Sequence, residues 1–165
     1  MRSVVASVFK PLPVVHEVWR GNQRPVHAAE YSLGTLTLGW EGRLKTRARR
    51  VSDEGVEFAT ALPRATVLRD GDCLPIDALR LVVRIVEQAE PVFVIRPATP
   101  AEWGRVAYHI GNSHQPLMLA ADAIVCADVP GMLQVLDHHG IPYERASRPF
   151  TPVGQIPAHQ HQVKA

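Results

Sequence analysis

The sequence predicts an α+β protein: a β-rich N-terminal domain, then a compact βαββαβ domain, then a short flexible tail. Three observations carry that reading. Apolar and polar residues alternate with period two through much of the first half, as they do along half-buried strands. Past residue 80, short apolar runs bracket a stripe at i, i+3, i+4 and i+7, which is the helical period. The final stretch, RPFTPVGQIPAHQHQVKA, carries three prolines and two histidines and no period at all.

Taken in order, residues 31–40 (YSLGTLTLGW) set Leu36, Leu38 and Trp40 two apart, a strand. In RLKTRARR, Arg43, Lys45, Arg47 and Arg49 alternate with Leu44, Thr46 and Ala48, so the expectation is a second strand with a basic outer face. Ser52-Asp53-Glu54-Gly55 marks a turn, residues 56–59 a short strand, and Arg69-Asp70-Gly71-Asp72 a further turn. The first domain is expected to cover 1–77. In the second, 78–148, PVFVIRP (91–97) is an apolar strand. A helix then opens with Thr99 as N-cap, Pro100 at the first helical position and Glu102 completing a capping box. Trp103, Val106, Ala107 and Ile110 form its buried stripe, and Gly111-Asn112 its end. Residues 117–119 and 124–126 are short strands. Asp128 is expected to cap a second helix, with Met132, Leu133 and Leu136 inward and Gly140 as its stop, and 143–146 forms a last strand. Strand, helix, strand, strand, helix, strand is the split βαβ, ferredoxin-like arrangement. Residues 149–165 are the tail.

Composition narrows the function. The 165 residues are 46% hydrophobic and 21% charged, as in soluble globular proteins. A net charge of +2 argues for neither a nucleic-acid nor a membrane partner. No apolar run approaches the roughly 18–20 residues that span a bilayer. Lys10 and Pro11 interrupt the N-terminal stretch before a secretory core develops, so a cytoplasmic location is expected. Cys73 and Cys126 lie far apart with no CxxC motif, and Cys73 reads as a buried structural thiol. There is no phosphate loop, G-x-S-x-G elbow or H-E-x-x-H. The basic strand face, without interleaved aromatics, reads as a solvated face, open to a protein partner.

Histidine is the departure from the ordinary. Of eight, six follow residue 108: His109, His114, His138, His139, His159 and His161. Neutral imidazole is the commonest ligand for borderline transition metals. His16 and His27 read as surface or packing residues. His109 falls on a helix flank beside Arg105. His138 and His139 sit in a last helical turn, where the dipole favours imidazolium; metal binding is the alternative. His114 stands just past a helix end, where a side chain projects, and two copies across a two-fold axis make a shared metal site. His159 and His161, two apart near the chain's end, read either as a solvated terminus or as added ligands.

These residues carry a resemblance. Tyr108-His109-Ile110-Gly111-Asn112-Ser113-His114-Gln115-Pro116-Leu117 resembles the YH-(L/I)-GN-x-H-x-P-L signature of the UreE family of urease accessory metallochaperones. Leu36-Thr37-Leu38, the basic run from Arg43 to Arg50, Leu62-Pro63-Arg64 and Leu68-Arg69-Asp70-Gly71-Asp72 are similar to that family's first domain. Pro149-Phe150-Thr151-Pro152-Val153-Gly154 and a His-bearing end are similar to its C-terminus. The resemblance covers nearly the whole chain in the right order, and the GN-x-H segment is its most specific piece. It implies a non-catalytic, nickel-delivering homodimer with a ferredoxin-like second domain. His114 matches the central metal ligand, and His159 and His161 match the C-terminal ones. The implied partners are the urease accessory GTPase UreG and the urease apoprotein–accessory complex, with Zn(II) or Cu(II) as surrogates for Ni(II).

The chain departs from the pattern in several places. Its tail lacks a long poly-His extension, and 124–128 offers no histidine for a peripheral site. Ser113 replaces Arg, and Ala65 stands where Gly is usual. Two other classes compete. One is a peptide- or protein-binding chaperone module without obligatory metal, built on the first domain. The other is a small His-based metalloenzyme, which needs a carboxylate base near His114; none is closer in sequence than Asp122.

Overall fold

The period-two patterns of the first half form two three-stranded sheets. The computed structural model describes residues 11–21 and 28–153. In chain order the first unit holds β1 (Val14–Val15), β2 (Ser32–Leu38), α1 (Trp40–Leu44), β3 (Arg47–Val51), β4 (Glu57–Ala61), β5 (Cys73–Ile76) and β6 (Leu81–Glu87). The second holds β7 (Glu90–Ile95), α2 (Pro100–Asn112), β8 (Leu117–Leu119), β9 (Ile124–Ala127), α3 (Met132–His138) and β10 (Glu144–Arg148). The first unit's sheets run β1-β4-β3 and β2-β6-β5, each with one parallel and one antiparallel pairing. Leu36, Phe58, Leu68, Leu74, Val83 and Ile85 fill the core between them.

Two expectations about this unit are corrected. Its sheet does not end at residue 77. β6 pairs in parallel with β2 from Ser32↔Leu81 to Leu38↔Glu87, so the first unit continues to Glu87. LVVRIVE is buried along most of its length, and a buried strand loses the alternation that announces its partner. Nor is RLKTRARR one strand. Lys45, Arg47 and Arg49 do face outward, but Arg43 belongs to α1 and is only 1% exposed. The helix starts there because the Glu90 carboxylate accepts the Trp40 N–H at 2.8 Å, a cap delivered from another element that local sequence cannot announce.

The second unit's sheet has the order β10-β7-β9-β8 with every pairing antiparallel, the ferredoxin-like topology expected from the element order. α2 and α3 bury Val106, Ile110, Met132 and Leu136 against Phe93, Ile95, Ile124 and Cys126 on one face. The opposite face, Val92, Val94 and Val125, packs beneath Phe150 and Trp40, whose rings meet edge to face at 5.9 Å. α2 is capped nearly as expected. Thr99 Oγ1 accepts the Glu102 N–H at 3.2 Å, while the Glu102 carboxylate reaches back to the Ala98 N–H, one residue earlier than a capping box places it. Asp128 does not cap α3. Gly131, with φ +91°, holds the N-cap position, and Asp128 lies 3.7 Å from Arg145. Gly140, at φ +58°, stands just past the helix end as expected.

Candidate metal centre

α2 sets the site. Its C-terminus is finished by Ser113, whose hydroxyl donates to the His109 carbonyl at 2.9 Å. The next residue, His114, donates its N–H to the Gly111 carbonyl at 2.9 Å and takes φ +56°. That left-handed conformation is costly for a residue with a Cβ. Here it reverses the chain into β8 and leaves the His114 side chain exposed. A strained residue at an exposed corner is the kind of position that functional sites hold.

The start of the expected tail is fastened beside it. Residues 149–153 fall in the expected tail, yet Phe150 is fully buried, the Thr151 N–H points to Met118 Sδ at 3.4 Å, and the Val153 N–H donates to the Leu117 carbonyl at 2.7 Å. Leu117 is three residues beyond His114, so the chain passes alongside β8 before it leaves the described region. His159 and His161 lie outside the described residues, as does His27.

Arg43 secures the same segment from the first unit. Its Nη2 donates to the Phe150 carbonyl at 2.6 Å and to Thr151 Oγ1 at 2.9 Å. Its Nη1 donates to Glu87 Oε1 at 2.8 Å and to the Leu68 carbonyl at 3.4 Å. Sequence reasoning placed Arg43 on a solvated face and missed this role. The available signal was slight: the alternation that assigned Arg43 to the basic face begins one residue after α1, at Lys45.

The remaining histidines form a separate cluster. His109 and His139 stack with ring centroids 3.6 Å apart and planes 19° from parallel, and His138 meets His139 edge on at 4.8 Å. Tyr108 sits edge on to His109, and Arg105 donates to the His139 carbonyl at 3.2 Å. Partial burial, followed by the repulsion of His109, His138 and Arg105, pushes the His139 imidazole below its ordinary pKa. Parallel rings aim their in-plane nitrogen lone pairs side by side, which is not the convergence a metal requires. Among the described residues, no group of three or more His, Cys, Asp or Glu side chains is placed to hold a metal ion. His114 is accordingly a single exposed imidazole in one chain.

The other candidates recede. Cys126 lies within β9, fully buried in the second unit's core, and burial, with Asp128 adding to it, pushes its thiol up to about 12. Cys73 is half-buried rather than buried, with Sγ 3.6 Å from the Gly71 carbonyl. His16 is exposed beside β1. Asp122, the acidic residue an enzyme reading calls on, lies 3.5 Å from Arg96. No helix among the described residues is long and apolar enough to cross a membrane.

Comparison with known proteins bears on the same architecture. The family model described as UreE urease accessory protein, N-terminal domain, matches residues 16–87, and that of the C-terminal domain matches residues 90–165. Their junction falls between β6 and β7, where the sheets divide. The chain is 40% identical over 118 residues to the urease accessory protein UreE of Burkholderia thailandensis, covering 72% of this chain and 55% of that protein. It is 39% identical over 117 residues to the urease accessory protein UreE of Burkholderia mallei, covering 71% of this chain and 57% of that protein. The matched stretch thus spans little more than half the length of these relatives. The family is one of accessory proteins, not of enzymes. With both halves matched in order and the GN-x-H corner in place, the chain belongs to the UreE family of urease accessory proteins.

Proposed function

We propose that this chain carries nickel for assembly of the urease active site, working in the cytoplasm as a homodimer in which the His114 imidazoles of two copies share one ion. His159 and His161 supply further imidazoles. Ni(II) is the cargo, with Zn(II) and Cu(II) as surrogates, because imidazole suits all three and selection then rests on geometry and supply. The recipients on this reading are the accessory GTPase UreG and the urease apoprotein–accessory complex. The peptide- or protein-binding module remains the alternative in which the histidines are incidental.

The observation that carries the reading is the corner itself. His114 is exposed and held at φ +56°, and the segment leading to His159 is hydrogen-bonded to Leu117 close by. His159 lies six residues beyond Val153, a span of at most about 22 Å. One chain offers too few donors for a tight site, and a two-fold contact supplies the second His114 without new sequence. An incomplete shell is what a carrier needs, since a closed cage would resist release. The ligands must be neutral imidazoles, so protons compete with the metal and affinity falls in acid.

Nickel calorimetry on the full chain tests this beside His114→Ala and a chain ending at residue 153. About one tight ion per pair of chains, lost in His114→Ala and weakened by truncation, is the expected result. Tight binding that survives His114→Ala overturns the shared site.

A further inference from the structure

One motif remains unused by the metal reading: the basic row on β3. Residues paired across a sheet share a face. Val14 lies beside Ala59, Ala59 beside Arg49, and Ala61 beside Arg47. The reverse face, with Val15, Phe58, Thr60 and Arg50, is buried in the first unit. Arg47 and Arg49 therefore stand outward along the edge strand, over Ala59 and Ala61, with the exposed Val51 and Glu57 at one end of the face and Val14, 47% exposed, on the far side. At one end this face opens into a cavity of about 580 Å³ bordered by His16, Thr46, Arg47, Leu62 and Arg64.

Charge is the telling feature. Arg20, Arg43, Arg80, Arg84, Arg96 and Arg145 each lie within 3.9 Å of a carboxylate. Among the described residues, Lys45, Arg47, Arg49 and Arg64 are exposed and form no ion pair; Arg69, Arg105 and Arg148 share that state singly, whereas Arg47, Arg49 and Arg64 gather along one sheet face and its cavity. Alternate residues of a strand repeat at about 6.6–6.8 Å, and alternate side chains of any extended peptide repeat at the same distance. A segment with carboxylates at every second position thus brings them into step with Arg47 and Arg49. The alanines leave room for its backbone, and Val14 offers apolar contact. A nucleic acid is the poorer match, because this face presents no aromatic ring for a base to stack on and the whole chain carries only +2.

We propose that the outer face of β1, β4 and β3 docks an extended, acidic segment of a partner protein, with Arg47 and Arg49 pairing alternate carboxylates and Arg64 at the cavity end. The inference is independent of where nickel binds.

Fluorescence anisotropy of the full chain tests it. The probe is a labelled octapeptide of alternating Glu and Val, set against a Lys and Val counterpart and a single-stranded DNA oligonucleotide. Saturable binding of the acidic peptide alone is expected, weakening about tenfold from low salt to about 0.5 M. The double substitution Arg47→Glu, Arg49→Glu should abolish it, and Arg47→Lys, Arg49→Lys should retain most of it, because charge is kept while the guanidinium fork is lost. Arg47→Gln, Arg49→Gln replaces the reversal if the latter lowers the melting temperature. Nickel titration of the same variants should match wild type, so the docking and metal readings fail separately. Absence of acidic-peptide binding, indifference to charge reversal, or tighter binding of the oligonucleotide overturns the proposal.

Discussion

Replacing Arg43 with alanine should destabilise the protein by about 3–5 kcal/mol, the cost of breaking a buried ion pair by removing one partner. The guanidinium is 1% exposed and donates four hydrogen bonds, to Glu87, the Leu68 and Phe150 carbonyls and Thr151 Oγ1. At roughly 1.5–3 kcal/mol for each bond to a charged group, a simple total overshoots. Two effects reduce it. The Glu87 side chain is 19% exposed and still accepts the Asp70 N–H at 3.3 Å, so water and backbone take over part of its solvation. Removing the cation also recovers the cost of holding it out of water, including that of its Nε, which has no partner. What remains is two carbonyls and a hydroxyl facing a void. In urea, with a slope of about 2 kcal/mol per molar, the midpoint should fall by about 2 M. Amide exchange adds a local readout: Thr151 and Val153 should lose protection before the core strands do. A loss under about 1 kcal/mol, or unchanged protection at 151–153, would refute the argument that Arg43 fastens this segment.

Two further outcomes follow from the backbone and the histidine cluster. Ala65 holds φ +61° at a position where Gly is usual in the family it resembles, so Ala65→Gly should raise stability by about 1 kcal/mol in thermal or urea unfolding, and a loss would show that strain is not what this turn stores. His139 binds its proton less readily in the folded state than in the unfolded chain, so stability present above about pH 6.5 should drain away as pH falls through that value and level off below the folded-state pKa. His139→Gln should flatten the drop in melting temperature between neutral pH and pH 5, and an unchanged slope would assign the titration to another group.

What was legible in the sequence was whatever is local. Thr99, Pro100 and Glu102 announced α2 because a cap is made within one turn, and the four apolar positions that follow really do face the sheet. The βαββαβ order sufficed for the second sheet because a split βαβ has one set strand order, even though β10 pairs with the distant β7 and only β8 and β9 are neighbours in both chain and sheet. Failures came from long-range partners. α1 exists because Glu90 caps it, and Arg43 is buried because Glu87 and Phe150 meet it there. A ladder such as β2 with β6 leaves no mark in either strand alone. The site followed the same division. His114 was legible from its helix end, whereas the stacking of His109 on His139 depends on how α2 packs beside the end of α3.

The fastening of residues 150–153 bears on how a carrier would release its ion. If the segment were loose from Arg148 onward, histidines at 159 and 161 would sample a large volume and contribute little to a site at His114. Pinned at Val153 to the Leu117 carbonyl, they are tethered by six and eight residues to a point close to it. A tether of so few residues gives an effective concentration in the millimolar range. A single imidazole whose own affinity for the metal lies near that value is engaged about half the time, so it raises retention severalfold and still leaves the coordination position open to an incoming ligand. Lengthening the tether weakens the contribution with roughly the −3/2 power of its length, and dissolving the Arg43 anchor lengthens it in effect. On the nickel-carrier reading, then, the buried arginine of the first unit adjusts metal retention at the second without touching the metal, and loss of Arg43 should reduce the tail's contribution to nickel affinity while leaving the affinity of the truncated chain unchanged.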